Sequence, residues 1–406
     1  MGIAIFVVTY LLVSARRLRL LGFDRPAIAL AGAVACVALG ALTPEAALAA
    51  VDSATLLLLF GVMGMGAFLA VDGFFDQVET QLVAWARTPR RLLGMIVWGA
   101  GMLSAAITND AVCVLGAPVV VRIVREHRLP ATPFLLALAT AANTGSVATL
   151  VGNPQNMLCG LLGGLVYREF LLVMAPVAVL GLALNHLILG LLFREPLRSA
   201  TLTPPRRVEP ISRAARMSLG VVFLTSIAYA LGANLAWAAA AGFVALMLLH
   251  RRDTRELWPR IDWTLLLFFA GLFVVVAALE KSGAPAAFFA RFPLAEHGQG
   301  LADGFWLSGI FLVGSNLVSN VPFILVVRDQ VNALGDATLG WQLLAMASTF
   351  AGNLTLLGSV ANIIVAETAR DVGGLGFWQH LKAGLPIALA TTIVGTLWVV
   401  TLAGAS

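Results

Sequence analysis

The chain has 406 residues, of which 60% are hydrophobic and 12% are charged, and its mean hydropathy is +0.92. An ordinary soluble domain carries roughly 25% charged residues, so this composition excludes a soluble enzyme and predicts a polytopic membrane protein. The net charge of +5 does not indicate nucleic-acid binding, because the arginines form short clusters between apolar runs, as topology signals do. The three cysteines form no CxxC pair and no two histidines are spaced i, i+4, so neither a disulfide framework nor such metal sites are expected.

Apolar runs that approach the thickness of a bilayer recur along the chain and predict about ten transmembrane helices. They lie near residues 2–15, 26–43, 54–71, 132–160, 170–193, 214–231, 233–249, 262–280, 340–366 and 384–403. The stretches 74–90 and 283–293 are expected to be connecting helices at the membrane surface. The fold class expected from this pattern is an all-α polytopic membrane protein.

Two further apolar segments, 92–124 and 302–334, are too long for one span and carry polar residues at their centres, at 108–110 and at 315–320. Each is expected to be a re-entrant hairpin, which enters and leaves the membrane on the same side. With both hairpins in place, all but four of the 26 lysines and arginines fall in inner loops, as the positive-inside rule requires. This arrangement places both termini outside.

The two halves of the chain are related by an internal repeat. Residues 148–156 align with residues 354–362 without a gap, and threonine, glycine and asparagine recur in register. Each half would hold five spans and a hairpin, and an odd number of crossings inverts the second copy, a common build of secondary transporters. The predicted domains are a first inverted repeat (1–193), a cytoplasmic linker (194–213) and a second inverted repeat (214–406).

Each repeat contains one predicted helix break. Pro154 lacks an N–H and disfavours helical dihedrals at Asn153, so the first break is sharp, whereas the matching Gly358-Ser359 has no proline and should unwind more softly. Irregular polar backbone at membrane depth is tolerated only around a cavity or inside protein. Two breaks and two hairpin tips supply half-helix starts that attract anions, and freed carbonyls, as at Gly152 and Gly358, that can coordinate sodium.

Polar residues beside these breaks and tips are the candidate substrate and ion ligands. A lone asparagine in a helical bundle more often joins helices, but the symmetric placement of this set favours a binding site. The candidates are Thr108, Asn109, Asp110, Asn143, Thr144, Thr149, Gly152, Asn153, Pro154, Asn156, Ser319, Asn320, Asn353, Thr355, Gly358, Ser359 and Asn362.

Asp110 is the only acidic residue in the predicted membrane interior. A carboxyl group at that depth must be protonated, paired with a cation, or alternate between these states. A structural alternative is that it caps the second helix of its hairpin.

In these residues the chain resembles the ion transporter superfamily, which includes arsenite efflux permeases, sodium/proton antiporters, citrate permeases and divalent anion/sodium symporters. The nearest local matches are residues 143–156 and 351–359, which are similar to a branch labelled only as anion transporters. The resemblance implies a homodimer of scaffold and transport domains, with an elevator movement of the transport domain.

The resemblance also implies roles for the hairpin tips. In the dicarboxylate branch both tips carry Ser-Asn-Thr, whereas here they read 108-Thr-Asn-Asp-110 and 319-Ser-Asn-Val-321, without either threonine of the motif. Asn109 and Asn320 correspond to ligands, and Thr108 and Ser319 to sodium ligands. The two sodium sites would therefore comprise Thr108, Asn109 and Gly152, and Ser319, Asn320 and Gly358.

The leading hypothesis is a secondary active transporter of a small inorganic or carboxylate anion, coupled to sodium or protons. With no lysine or arginine in the predicted membrane interior, the anion must be held by helix ends, amides and a co-bound cation. The alternative is a sodium/proton antiporter or an arsenite-type efflux permease in which Asp110 titrates. No enzyme, nucleic-acid partner or cofactor beyond the coupling ion is expected, and the location predicted is a prokaryotic inner membrane.

Overall fold

The computed structural model describes residues 1–14, 24–203, 208–251, 253–294 and 300–403. Six arginines of the predicted inner loops lie outside these ranges, namely Arg16, Arg17, Arg19, Arg206, Arg207 and Arg252, as does the middle of the linker. The α-helices are α1 (Gly2–Ser14), α2 (Arg25–Ala38), α3 (Pro44–Ala50), α4 (Ser53–Val71), α5 (Phe74–Ala86), α6 (Pro89–Ala106), α7 (Asn109–Glu126), α8 (Ala131–Ser146), α9 (Pro154–Leu162), α10 (Tyr167–Leu192), α11 (Arg194–Ser199), α12 (Arg213–Ala230), α13 (Leu235–His250), α14 (Trp263–Lys281), α15 (Ala284–Arg291), α16 (Leu301–Val318), α17 (Asn320–Asn332), α18 (Ala337–Leu354), α19 (Val360–Thr368) and α20 (Phe377–Ala403).

The predicted all-α class is confirmed, and each predicted span coincides with one helix or with a broken pair. Among the described residues four helices are long and apolar enough to cross a bilayer unaided: α4, α10, α14 and α20. Four more, α1, α2, α13 and α16, are apolar but shorter. The spans 132–160 and 340–366 are each divided into two helices.

Both long segments with polar centres are pairs of packed helices, α6 with α7 and α16 with α17. At the first tip the hydroxyl of Thr108 accepts a hydrogen bond from the N–H of Ala111 (3.2 Å) and so caps α7. At the second tip Ser319 has a φ of 71°, which residues other than glycine rarely adopt. The second tip therefore holds a strained backbone, and such strain concentrates at functional sites.

The two broken helices are α8 with α9, and α18 with α19. Residues 147–153 form the first break, and Asn153 caps α9 by accepting the N–H of Asn156 (2.8 Å). Residues 355–359 form the second break, which is shorter and lacks a proline. The half-helices then cross between pairs: α19 packs on α7 of the first hairpin, and α9 packs on α17 of the second.

The helices form two packed groups, each drawn from both halves of the sequence. The scaffold group contains α1–α4 and α12–α14, with α14 packed against α1, α2, α3 and α4. The hairpin group contains α6–α10 and α16–α20. The groups meet where α14 contacts α17, where α4 contacts α7 and α9, and where α12 contacts α6 and α10.

Small residues allow the closest helix contacts. A Cβ at Gly145 of α8 would lie 2.2 Å from the carbonyl oxygen of Gly101 on α6, so these backbones touch. Within the scaffold group a Cβ at Gly61 of α4 would lie 2.5 Å from the carbonyl carbon of Ala239 on α13. Close approach of this kind is typical of helix interfaces in membranes.

Candidate functional site

A cavity of about 210 Å³, the central cavity, lies between the two hairpin tips, the two helix breaks and α14. Among the residues that the structure describes, no lysine or arginine lines this cavity. The scaffold group contributes Tyr10, Leu265, Phe268 and Phe269, which form a largely apolar wall. The hairpin group contributes Asn109, Asp110, Pro154, Gln155, Ser315, Asn316, Leu317, Ser319, Asn320, Val321, Thr355, Leu357, Gly358, Ser359 and Val360.

Asn143 on α8 connects both broken helices to the first hairpin. Its Nδ2 donates to Oδ1 of Asn353 and to Oδ1 of Asn362, both at 3.1 Å. Its Oδ1 accepts from Nδ2 of Asn109 (2.9 Å) and from Oγ of Ser359 (3.1 Å). All these groups are buried, so Asn143 holds the tip and the second break in a fixed relation.

The first break is held by a second set of hydrogen bonds. Nδ2 of Asn153 donates to Oγ of Ser146 (2.8 Å) and to Oγ1 of Thr349 (3.1 Å), and Thr349 donates to Oδ1 of Asn156 (3.0 Å). Nδ2 of Asn156 donates to the carbonyls of Ser146 (3.2 Å), the last residue of α8, and Thr149 (2.9 Å), inside the break. The side chains of Asn153 and Asn156 therefore form hydrogen bonds that stabilise the first break.

Backbone carbonyls fix the orientation of the amides in the Asn143 network. Nδ2 of Asn362 donates to the carbonyls of Gly352 (2.7 Å) and Thr355 (3.1 Å), so its Oδ1 must be the atom that faces Asn143. Because Nδ2 of Asn143 donates to Asn362, its Oδ1 is the atom that faces Asn109. Asn109 therefore has to donate to it through Nδ2. Oδ1 of Asn109, a residue that lines the central cavity, is left as a free acceptor.

Four buried polar side-chain atoms without a protein partner, among others elsewhere in the described part of the chain, belong to residues that line the central cavity. They are Oδ1 of Asn109, Asn316 and Asn320 and Oγ of Ser315. The orientation of Asn316 is also fixed, because its Nδ2 donates to the carbonyl of Ala351 (3.0 Å). A buried polar atom without a partner costs about 1–3 kcal/mol, so this set is arranged to meet a ligand. Three of the four atoms are acceptors only, which suits a cation or a ligand with O–H or N–H donors.

Asp110 lies between the central cavity and a smaller cavity of about 60 Å³. Its carboxylate lies near the backbone N–H of Ala361, at the start of α19. Asp262 and Arg260, near the start of α14, line the smaller cavity. The structural alternative considered from the sequence is wrong, because Thr108 caps α7 and Asp110 faces the start of a different helix.

The predicted site residues fall into two sets. One set lines the central cavity and the other lies outside its lining. The carbonyl of Gly152 accepts the N–H of Asn109 (2.9 Å), and this hydrogen bond connects the two sets by joining the first break to the first tip. Those that line the central cavity are Asn109, Asp110, Pro154, Ser319, Asn320, Thr355, Gly358 and Ser359. Those that lie outside its lining are Thr108, which lines the smaller cavity, and Asn143, Thr144, Thr149, Gly152, Asn153, Asn156, Asn353 and Asn362.

Several site residues were not among the predicted ligands. Ser315 and Asn316 precede the predicted Ser319 and Asn320 by one helical turn, so the polar cluster at 315–320 was the signal that could have identified them. No sequence pattern of this kind identifies His380, whose Nε2 lies 2.9 Å from the carbonyl oxygen of Asn353. Its position is set by the packing of α20 on α18.

Comparison with known proteins identifies the family. The profile of the citrate transporter family (CitMHS) matches residues 9–351. The silicon efflux transporter LSI3 of Oryza sativa subsp. japonica is 32% identical over 97% of this chain and 96% of its own length. A transporter named arsB from Dictyostelium discoideum is 24% identical over 92% of this chain and 87% of its own length.

A solved structure has the same fold. The YdaH transporter of Alcanivorax borkumensis, described as having an unusual topology, matches with a TM-score of 0.58 and 15% identity over 92% of this chain and 88% of that one. The membrane transporter fold and the superfamily resemblance are therefore confirmed. This chain belongs to the citrate transporter family and is an integral membrane transport protein rather than an enzyme.

Proposed function

We propose that the protein is a secondary active transporter that binds a small inorganic or carboxylate anion in the central cavity together with a sodium ion or a proton. The central cavity carries this proposal: within the described part of the chain, its lining holds Asp110 and unpartnered amide oxygens but no lysine or arginine. An anion alone would be repelled by these oxygens. A cation bound among them offsets that repulsion, which makes binding of the two ions interdependent.

The cation is proposed to bind at the hairpin tips. Oδ1 of Asn109 and Oδ1 of Asn320 are both buried and unpartnered, one at each tip. Oxygen ligands of this kind suit hard cations. The two proposed sodium sites are Thr108, Asn109 and Gly152 at the first tip, and Ser319, Asn320 and Gly358 at the second.

The proposed movement is an elevator displacement of the hairpin group against the scaffold group in a homodimer. The scaffold side of the central cavity supports it, because Leu265, Phe268 and Phe269 present an apolar wall without hydrogen bonds that would hold the ligand to α14. Both termini are proposed to lie outside a prokaryotic inner membrane.

A second candidate is efflux in exchange for a cation, as in an arsenite-type permease or a sodium/proton antiporter, with Asp110 as the titrating group. The excess of acceptors in the central cavity favours it, because a hydroxylated acid presents O–H donors to them. The name of LSI3, a silicon efflux transporter, points the same way.

Transport into proteoliposomes under an imposed sodium or proton gradient tests both candidates with citrate, silicate and arsenite as substrates. Sodium-dependent accumulation of citrate supports the first candidate, and proton-driven exchange of silicate or arsenite without sodium supports the second. Asp110→Asn should abolish gradient-driven accumulation while exchange without a gradient persists. Asp52→Asn is the matched control, because Asp52 lines neither cavity and asparagine can still accept the N–H of Thr55 and cap α4. Accumulation by Asp110→Asn at the wild-type level would contradict the coupling role.

A further inference from the structure

Away from the central cavity, a basic cavity of about 280 Å³ opens between α6, α10 and α11. It is lined by Arg90, Leu93, His186, Gly190, Leu191, Arg194 and Leu197. Arg90 comes from the first turn of α6 and Arg194 from the first turn of α11, on the side of the membrane that the charge distribution predicts to be cytoplasmic. Of the residues that the structure describes, no aspartate or glutamate lines this cavity.

Within the described part of the chain, the two arginines that line this cavity have no protein counterion. Neither guanidinium has an ion-pair partner among the residues that the structure describes, whereas Arg122, Arg328 and Arg370 all have one. Like charges that converge on one cavity repel each other unless an anion lies between them. Arginine in particular matches the geometry of a phosphate group, which it can bind through two parallel N–H donors.

His186 on α10 also lines this cavity. A Cβ at Gly94 of α6 would lie 2.8 Å from Cε1 of His186, so the glycine makes room for the imidazole against the α6 backbone. The ring is half-buried and lines the cavity together with both arginines. An imidazole nitrogen at this position can add a donor for the same anion.

An exposed apolar face of α10 lies beside the basic cavity, which favours a lipid over a free ion as its ligand. Leu180, Leu187 and Leu191 lie on one face of α10, and their exposed fractions are 40%, 57% and 63%. Leu191 also lines the basic cavity, so this apolar stripe begins beside the arginines and runs along the helix away from them. A phospholipid could place its headgroup between the arginines and an acyl chain along the stripe.

We propose that the cavity formed by Arg90, His186 and Arg194 binds the phosphate of an anionic phospholipid. Basic pockets between transmembrane helices on the cytoplasmic side are suited to such headgroups. The bound lipid bridges the first helix of the first hairpin, α6, to the end of α10 and to the start of the linker, α11.

The test uses the full-length purified protein in detergent, with phosphatidylglycerol, phosphatidylcholine and inorganic phosphate as probes. We expect phosphatidylglycerol to raise the melting temperature, read from tryptophan fluorescence, more than phosphatidylcholine does. Each arginine near a headgroup contributes a factor of about 5 in affinity, so the double variant R90Q/R194Q should bind phosphatidylglycerol roughly 25-fold more weakly.

The matched control is R91Q/R198Q, which removes the same charge from exposed arginines of the same two helices that do not line the cavity. It should bind phosphatidylglycerol within about 2-fold of the wild type. Equal losses in the two double variants would overturn the proposal, and so would an equal shift with phosphatidylcholine or with inorganic phosphate. If R90Q/R194Q does not fold, native mass spectrometry of the wild type decides: retention of phosphatidylglycerol over phosphatidylcholine supports the site, and equal retention overturns it.

Discussion

The hydrogen-bond network around Asn143 makes a quantitative prediction about the variant Asn143→Ala. The substitution removes four buried hydrogen bonds, those to Asn109, Asn353, Asn362 and Ser359. Hydrogen bonds between helices in a membrane protein average about 0.6 kcal/mol, so four of them amount to about 2.4 kcal/mol. The atoms left behind stay buried without partners, which adds to the cost. We expect the free energy of unfolding to fall by about 2–3 kcal/mol.

The variant should also lose transport, because Asn109 is no longer oriented. Without Asn143, the amide of Asn109 is free to rotate, and its Oδ1 is no longer fixed as an acceptor beside the central cavity. Unfolding in increasing denaturing detergent gives the stability, and counterflow of substrate in proteoliposomes gives the activity at equal protein content.

Asn185→Ala is the matched control. Asn185 is also a fully buried asparagine of the hairpin group, but among the described residues its side chain bonds only Thr140 (3.0 and 3.1 Å) and Thr144 (3.5 Å), and it does not line the central cavity. We expect a loss of about 1 kcal/mol in stability and transport near the wild-type rate. Wild-type transport by Asn143→Ala, or equal destabilisation of the two variants, would refute the role assigned to the network.

Two further predictions concern the packing and electrostatics around the first hairpin. Burial raises the pKa of Glu79 on α5 to about 7, although Arg122 lies 3.0 Å away and favours the charged form. The folded state therefore binds this proton more tightly than the unfolded state, so stability should fall as the pH rises from 4.5 to 7, and Glu79→Gln should flatten that slope in unfolding measurements at several pH values. An unchanged slope would contradict this assignment. Gly145→Ala should lower the free energy of unfolding by about 1–3 kcal/mol, because its Cβ would lie 2.2 Å from the carbonyl oxygen of Gly101. Gly99→Ala is the control and should be tolerated, because a Cβ there has nothing within 4 Å. Equal thermal stability of the two variants would show that α6 and α8 can separate freely.

The helices, the hairpins and the breaks could be predicted from the sequence because each depends on local properties. The length of an apolar run determines whether it can cross the bilayer. Pro154 interrupts helical hydrogen bonding because it lacks an N–H, whatever the tertiary context. Polar residues at 108–110 and 315–320 marked the tips for the same reason, since lipid does not tolerate them in an uninterrupted helix. The resemblance to a transporter superfamily rests on these same segments, and the family match confirms it.

The division of the asparagines into ligands and supports could not be predicted in this way. Asn109 and Asn143 are both buried and both lie beside a break or a tip, so no pattern distinguishes them. Asn143 is a support because Asn353, 210 residues along the chain, accepts its amide hydrogen. Asn109 keeps a free oxygen because that network ends at its Nδ2.

By itself the sequence determined where the chain is helical, where the helices are interrupted and which family the protein belongs to. The tertiary structure decided that α14 forms one wall of the central cavity, that Asp110 faces the start of α19, and that Arg90 and Arg194 converge on one cavity. The physical reason is the range of the interactions. Hydrophobicity, proline and capping act within a few residues, whereas the cavities are enclosed by side chains that only the packing of distant helices brings together.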